Sequence, residues 1–591
     1  SASREPRPTM TDRTLADAIH AHREGRVELA RVFYQQVIAA QPGSAEAHRW
    51  YGRFELEQGE LPEALRLLRK AASLAPQEPA VHADLSRALA AAGRPDQAAA
   101  VLEALLRQHG DNPALRFNLA LLRLGNNEAD RATAELERVL AADPRHVDAL
   151  QHLARLRVAN GRSAEAETLL GRAAAAAPED PAPLLALGGL LGERGEHGKA
   201  IGLVQRAIAM GGLDRPEGHI RLSRALEAHG DAQAALQTAI EGTEAFPGDD
   251  IAWRHLGDLH KRRGELGAAC RAFDRAHGIL RDPDSGYGAG RPEICHTNRA
   301  KLQHDIDQLA YLRDRGVEGM EALLGEHLTL AAKLPHSLAD GDVVSLPPTV
   351  IREVGGHYNR CMRRVAAPEL DGGALNPGLD PASIAGDYER RAPGITWIDD
   401  FLRPEAVASL RRYLLESTIW YDADHPNGYV GAYLHDGFTC PLVMQIAREL
   451  PALLPRIFGD RPLLQLWAYH YDSRLAGIGM HADFAAVNVN FWLTPTEAMA
   501  ERNSGGMVIW NKKAPRDWRY HDYNKTDPAT KARIDDFLAR EGAEPIRIPH
   551  RQNRVVIFNS DLFHRTDDIR FRAGFENRRI NVTMLYGRRE Q

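Results

Sequence analysis

This chain has few thiols and no long apolar run. Only four cysteines occur in 591 residues, Cys270, Cys295, Cys361 and Cys440, and no two of them are spaced as CxxC. That excludes a disulfide framework and a cysteine zinc site, and it fits a reducing cytoplasm. No apolar run approaches the roughly 18 residues that a membrane span needs. The residues before Met10 lack the apolar core of a secretory signal; residues 1–11 read as a disordered leader outside the fold, with Met10 a candidate start. A large excess of one charge is also missing. Lys and Arg number 74 against 80 Asp and Glu, for a net charge of -6, which argues against a protein built to grip nucleic acid. With 44% hydrophobic and 26% charged residues the composition is that of a globular protein. Its length calls for more than one core.

What the chain does have is a period. Gly25, Gly59, Gly93, Asn127, Gly161 and Gly195 stand 34 residues apart, and Gly230 and Gly264 follow after one extra residue. A second mark keeps the same step: Pro42, Pro76, Gly110, Pro144, Pro178, Gly212 and then Pro247. Between the marks lie Ala- and Leu-rich stretches with apolar residues at i, i+3, i+4 and i+7, such as "AVHADLSRALAAAG". The physical reading is one helical hairpin per period. A Gly or Asn takes the left-handed conformation after the first helix, and a Pro stops the second. Each hairpin buries its apolar face only against its neighbours, which builds a superhelical solenoid. The spacing resembles the tetratricopeptide repeat family, with about seven repeats over roughly residues 12–282. The resemblance implies a concave surface for peptides or partner proteins.

A Gly/Pro-rich break, "GILRDPDSGYGAGRPE", ends the repeats. Residues 283–393 read as capping helices, "NRAKLQHDIDQLAYLRDRG" and "GMEALLGEHLTLAAKLP", followed by an irregular linker over 336–392. From 394 to 591 the pattern changes. "RPEAVASLRRYLLES" is an amphipathic helix. Around it, "LLQLWAYHYD", "AAVNVNFWLTP", "GGMVIWN", "EPIRIP", "NRVVIFNS" and "RRINVTMLYG" are short β-branched and aromatic runs that predict an antiparallel sandwich or jelly roll.

Three of these runs carry candidate chemistry. "GMHADF" places His481 and Asp483 two apart, where both can face one way, and "NSDLFHRTD" supplies His564 after a buried-looking strand. Two imidazoles and one carboxylate on one face form a facial triad that suits Fe(II) and leaves positions open. In "RRINVTMLYG", Arg579, Asn581 and Thr583 share a strand face while Arg578 points the other way. An inward arginine suits the distal carboxylate of a dicarboxylate cosubstrate.

Together, "HAD", the later His and the terminal Arg resemble the 2-oxoglutarate-dependent Fe(II) oxygenases of the prolyl-hydroxylase-like type, over about residues 394–587. The resemblance implies a β-rich double-stranded β-helix (jelly-roll) domain with flanking helices, following the all-α solenoid in a multidomain chain. It implies His481, Asp483 and His564 as metal ligands and catalytic centre, with Fe(II), 2-oxoglutarate and O2 as cofactor and cosubstrates. Arg579 would hold 2-oxoglutarate, with Arg578 as second choice; Tyr469, Tyr471 and Asn581 complete the cosubstrate candidates. Because a carboxylate occupies the middle ligand position, hydroxylation is expected rather than halogenation. The expected substrate is an amino-acid residue of a protein or peptide held by the solenoid, with no membrane and no nucleic acid, and with self-association open. The alternatives are a small-molecule oxygenase whose repeats mediate assembly and a non-catalytic repeat scaffold. One departure from the resemblance is length. Asp483 and His564 are 81 positions apart, and a polar insertion over 511–545 fills the excess, read either as a lid or wall or as a packing element.

Overall fold

The computed structural model describes residues 14–110, 112–335, 338–423, 429–472, 477–515, 517–518, 523–525 and 527–589. The leader expected over 1–11 lies outside them. The chain forms two compact units, Ser1–Asp231 and Ala232–Gln591. No helix among the described residues is long and apolar enough to cross a membrane.

The first unit is helical hairpins from Leu15–Arg23 to Glu217–His229. Every turn mark takes positive φ, from 60° at Asn127 to 97° at Gly230, a region that favours Gly and Asn. A third feature keeps the period. Gly52, Ser86, Ala120, Ala154 and Gly188 recur at the same step on the first helix of each hairpin, and all are buried. A Cβ on Gly52 would meet Leu68 Cγ at 2.7 Å, and one on Gly188 would meet Val204 Cγ2 at 2.5 Å. Small residues here let the backbones approach, and the lost side-chain volume is filled by the partner helix.

The second unit opens with three more repeat helices, Ala232–Ala245, Asp250–Arg262 and Leu266–Leu280. Helices stand at Arg299–Asp314 and Met320–Lys333, where the sequence reading placed the capping helices, and β1 (His296–Thr297) before them pairs with β2 (Val344–Ser345) after them. The linker expected over 336–392 is less irregular than its composition. It holds helices at Pro348–Glu353 and Pro381–Arg390. Asp380 caps the second of these, its Oδ1 accepting from the Ala382 and Ser383 N–H groups at 3.0 and 3.3 Å. Proline read as a loop mark here serves as the first helical residue, where its missing N–H costs nothing.

Two antiparallel sheets form the C-terminal region. Six strands run in the order β3 (Ile395–Ile398), β9 (Val555–Asn559), β6 (Ala485–Trp492), β11 (Arg579–Arg588), β5 (Leu463–Tyr471) and β4 (Tyr429–Tyr433). Three run as β10 (Leu562–Thr566), β7 (Met507–Lys513) and β8 (Pro545–Ile548). Alternation decides what each face meets. Val555 and Ile557 of β9, with Ile580, Val582 and Met584 of β11, join one large core. That core also takes in Leu410 and Leu414 of helix Pro404–Glu416, Leu442 and Ile446 of helix Pro441–Leu453, and Phe273 of the last repeat helix. The opposite parity, Val556, Phe558 and Trp492, packs with Met507, Ile509, Ile548 and Leu562 of the smaller sheet. Between the sheets, on the polar part of that inner face, lies the candidate site.

Candidate metal centre

His481 and His564 are brought together by their backbones. The His481 N–H donates to the His564 carbonyl at 3.0 Å, and the His564 N–H returns the bond to the His481 carbonyl at 2.8 Å. A directly opposed antiparallel pair presents both side chains on one face, and the ring centroids stand 4.1 Å apart. The turn carrying His481 thus adds a rung to the smaller sheet beside β10. Two residues on, the Asp483 N–H donates to the Ser560 carbonyl at 3.1 Å, so the carboxylate joins the same face. Ligand atoms from the three side chains all lie within 4.8 Å of one another.

The imidazoles are oriented for coordination. Nδ1 of His481 meets the Gly479 carbonyl at 2.9 Å, and Nδ1 of His564 meets the Leu562 carbonyl at 2.9 Å. A carbonyl can only accept, so each Nδ1 carries the proton and each Nε2 keeps its lone pair. Those Nε2 atoms face Asp483, at 4.0 Å from His481 to Oδ1 and 3.5 Å from His564 to Oδ2. Burial, then the charge of His481, holds the His564 pKa well below its ordinary value. Burial raises that of Asp483 against the opposing pull of His481 and the Asn488 amide. An uncharged imidazole is the form that ligates, and a buried carboxylate without a cation beside it is held at a cost. Two nitrogens and one carboxylate oxygen on one face fit Fe(II).

The cavity around this cluster, about 30 Å³, is lined among others by Trp467, Tyr469, Tyr471, Asn488, Asn490, Thr566, Arg579, Asn581 and Thr583. Arg579 is 1% exposed. Its Nε donates to the Gly505 carbonyl at 2.6 Å, while Nη1 has no hydrogen-bond partner among the described residues. Tyr471 and Trp492 flank it, with Cζ 4.7 and 5.6 Å from their ring centroids. Burial, the largest cause, pushes its pKa down. A buried guanidinium with no ion pair and an unpartnered N–H among the described residues fits an anionic oxygen arriving in the cavity.

The other cosubstrate candidates divide. Tyr469 and Tyr471 line the cavity, and the Tyr469 hydroxyl meets that of Tyr433 at 3.0 Å. Asn581 lines it too, donating to Asn490 Oδ1 at 2.8 Å while its own Oδ1 has no partner among the described residues. Arg578 is not brought there. It stands one residue before β11, outside the cavity lining, and pairs with Asp307 and, at 3.1 Å, with Asp472, which removes it from the cosubstrate candidates.

Two contributors, Asn488 and Asn490, escaped the sequence reading, and Thr583, read there only as sharing the Arg579 face, joins them. Asn488 donates to Asp483 Oδ2 and accepts from Asn490. Thr583 donates to Asn490 Oδ1 at 2.8 Å. This amide and hydroxyl chain runs from the carboxylate across the cavity floor. Its signal was present in "NVNFW", where two amides share one parity of an otherwise apolar strand and so face inward together.

The tetratricopeptide repeat family matches residues 21–87, 55–123, 88–144 and 123–191, and again 220–282. The N-terminal part is a tetratricopeptide repeat array. Similar solved structures include pilF of Pseudomonas aeruginosa, at 18% identity and TM-score 0.30, covering 35% of this chain and 93% of that one. A thermophilic TPR protein of Thermus thermophilus matches at 24% identity and TM-score 0.27, over 30% and 96% of the two chains. Yeast Tom70 matches at 14% identity and TM-score 0.38, over 48% and 63%. No curated protein matches the chain. Arrays of this kind serve as protein-interaction scaffolds.

Proposed function

We propose that the C-terminal region is a 2-oxoglutarate-dependent, Fe(II)-dependent oxygenase that hydroxylates a residue of a polypeptide recruited by the repeat array. The observation that carries this reading is one cavity holding both halves of the need. His481, Asp483 and His564 converge within 4.8 Å of one another, and the buried Arg579 Nη1 has no partner among the described residues of that cavity's lining. Two packed antiparallel sheets are consistent with a double-stranded β-helix. When bound, Fe(II) would supply oxygen activation coupled to decarboxylation of 2-oxoglutarate, and through it oxidation of a C–H bond.

The protein's own part is positional. The Nδ1–carbonyl bonds keep both Nε2 lone pairs aimed at one point, and Asn488 holds the Asp483 carboxylate toward it. Arg579 would take the distal carboxylate of 2-oxoglutarate, with the Asn581 and Thr583 polar floor beside it. Tyr469, Tyr471 and Trp467 wall the cavity, and their bulk excludes water from the reacting atoms. Recruitment by a linked module raises the local concentration of substrate. A scaffold without catalysis is the second reading, favoured by the repeat array alone.

The test is succinate formation by the purified chain with Fe(II) and 2-oxoglutarate. A basal rate that falls at least about 100-fold in His481→Ala supports the reading. No succinate, or a rate indifferent to that substitution, sinks it. Proteins captured by His481→Ala, then incubated with the unaltered chain, should gain one oxygen atom by mass.

A further inference from the structure

Against the backbone of the ligand turn lies Asn524. It belongs to the insertion between β7 and β8, and it is absent from the cavity lining. Its amide faces the backbone of Ala482 squarely. Oδ1 accepts from the Ala482 N–H at 3.2 Å, and Nδ2 donates to the Ala482 carbonyl at 2.9 Å. Ala482 is the one residue between His481 and Asp483, and it is 0% exposed. Its buried N–H and C=O therefore both bond to a single side chain.

The neighbouring bonds explain what this hold does. His481 is tied to His564 and Asp483 to Ser560 through backbone groups, but the two soft dihedrals of Ala482 set the angle between the ligands. Rotation there would swing the imidazole relative to the carboxylate, a freedom that the flanking bonds restrict from either side. A two-point grip on the amide groups of Ala482 removes that freedom. The insertion reaches this position through an apolar contact of its own. Tyr523, Ile534 and Leu538 pack with Ala482 and with Phe563, the residue before His564.

We propose that Asn524 is a positioning residue for the metal centre, presetting the angle between His481 and Asp483 through Ala482, and that the insertion exists in part to deliver it. The proposal rests on the metal reading above. Loss of groups that orient metal ligands typically weakens metal affinity about 10- to 100-fold.

The experiment titrates the full chain with Co(II), whose visible bands report coordination geometry, and compares the unaltered protein with His481→Ala, Asn524→Ala and Asn524→Asp. Asn524→Ala should raise the Co(II) Kd by roughly 10- to 100-fold, shift the visible bands, and shrink the rise in Tm that Co(II) produces. Asn524→Asp keeps the acceptor for the Ala482 N–H but sets a carboxylate oxygen against the Ala482 carbonyl in place of the donor, so its Kd and visible bands should shift too. If Asn524→Ala is too unstable to titrate, Asn524→Asp decides: an unaltered Kd and spectrum overturn the proposal. The same result in Asn524→Ala also overturns it while leaving the metal reading intact. Failure of the unaltered chain to bind Co(II), or binding that His481→Ala leaves unchanged, overturns both.

Discussion

At the scale of single residues, the centre turns on which arginine enters the cavity. Arg578 and Arg579 are adjacent and chemically identical, yet one is ion-paired to Asp307 and Asp472 and the other is buried in the cavity with an N–H that has no partner among the described residues. Charge-assisted hydrogen bonds contribute about 1.5–3 kcal/mol each, so Arg579→Met should raise the KM for 2-oxoglutarate by roughly 10- to 150-fold. Arg578→Met should leave that KM unchanged and lower only the Tm. Succinate formation against 2-oxoglutarate concentration separates the two, and equal KM effects would refute the assignment. The convergence of His481, Asp483 and His564 and the inward face of Arg579 were legible beforehand, from the HxD spacing, a later His after a strand, and two-residue alternation in the last strand. Asn488 and Asn490 were not singled out. Amides bear no charge and match no ligand motif, and only the fold shows them joined to Asp483.

At the scale of elements, punctuation explains both the successes and the misses. The Gly and Asn marks were readable because a positive φ narrows the choice of residue, and all eight take it. The small residues on the first helix of each hairpin were not read as a series, since Gly, Ser and Ala look ordinary until a partner side chain is seen above them. Gly188→Val places branched carbon against Val204 and should cost about 1–3 kcal/mol, visible as a lower Tm. Helices that begin with proline, Pro381–Arg390 and Pro441–Leu453, were missed for the opposite reason. β10 was missed because it is short and follows β9 after only two residues.

The last repeat helix, Leu266–Leu280, carries its own pH dependence. Its His277 is 3% exposed and meets the Tyr421 hydroxyl at 3.2 Å, and burial, the largest cause, pulls its pKa down to about 4. His304 of the capping helix is likewise held at about 4 by burial, despite Asp305. An unfolded imidazole takes up its proton near pH 6.5, before the buried one does. The unfolded state therefore binds more protons between about pH 6.5 and pH 4, and the stability present above that window is lost as pH falls through it. Over the whole window each residue accounts for a loss on the order of 3 kcal/mol. Thermal melts from pH 7.5 to 5 should show the decline, and His277→Gln should flatten it. An unchanged slope in that variant would remove His277 as a source.

At the scale of the whole molecule, repeat counting and core packing draw different boundaries. The period runs to about residue 282, because every hairpin obeys the same local punctuation, and the family match ends at that residue. The compact units instead divide between Asp231 and Ala232. The reason lies in what the final hairpin covers. Leu266, Ala269, Cys270 and Phe273 are buried in the same core as Leu410, Leu442, Ile557 and Val582, so this hairpin is a repeat by sequence and a wall of the sheet region by packing. Arg281, immediately after it, is 1% exposed and pairs with Asp436, with its Nε 2.9 Å from Oδ1. Removing this segment would leave an apolar face open to water and the Asp436 carboxylate without its guanidinium, each costing several kcal/mol. Two truncations test the boundary. A fragment beginning at Ala232 should be monodisperse, melt cooperatively and retain the Co(II) affinity of the full chain. One beginning at residue 283, where the period ends, should bind a hydrophobic dye and aggregate. Equal behaviour of the two fragments would mean that the last hairpin belongs to the array alone.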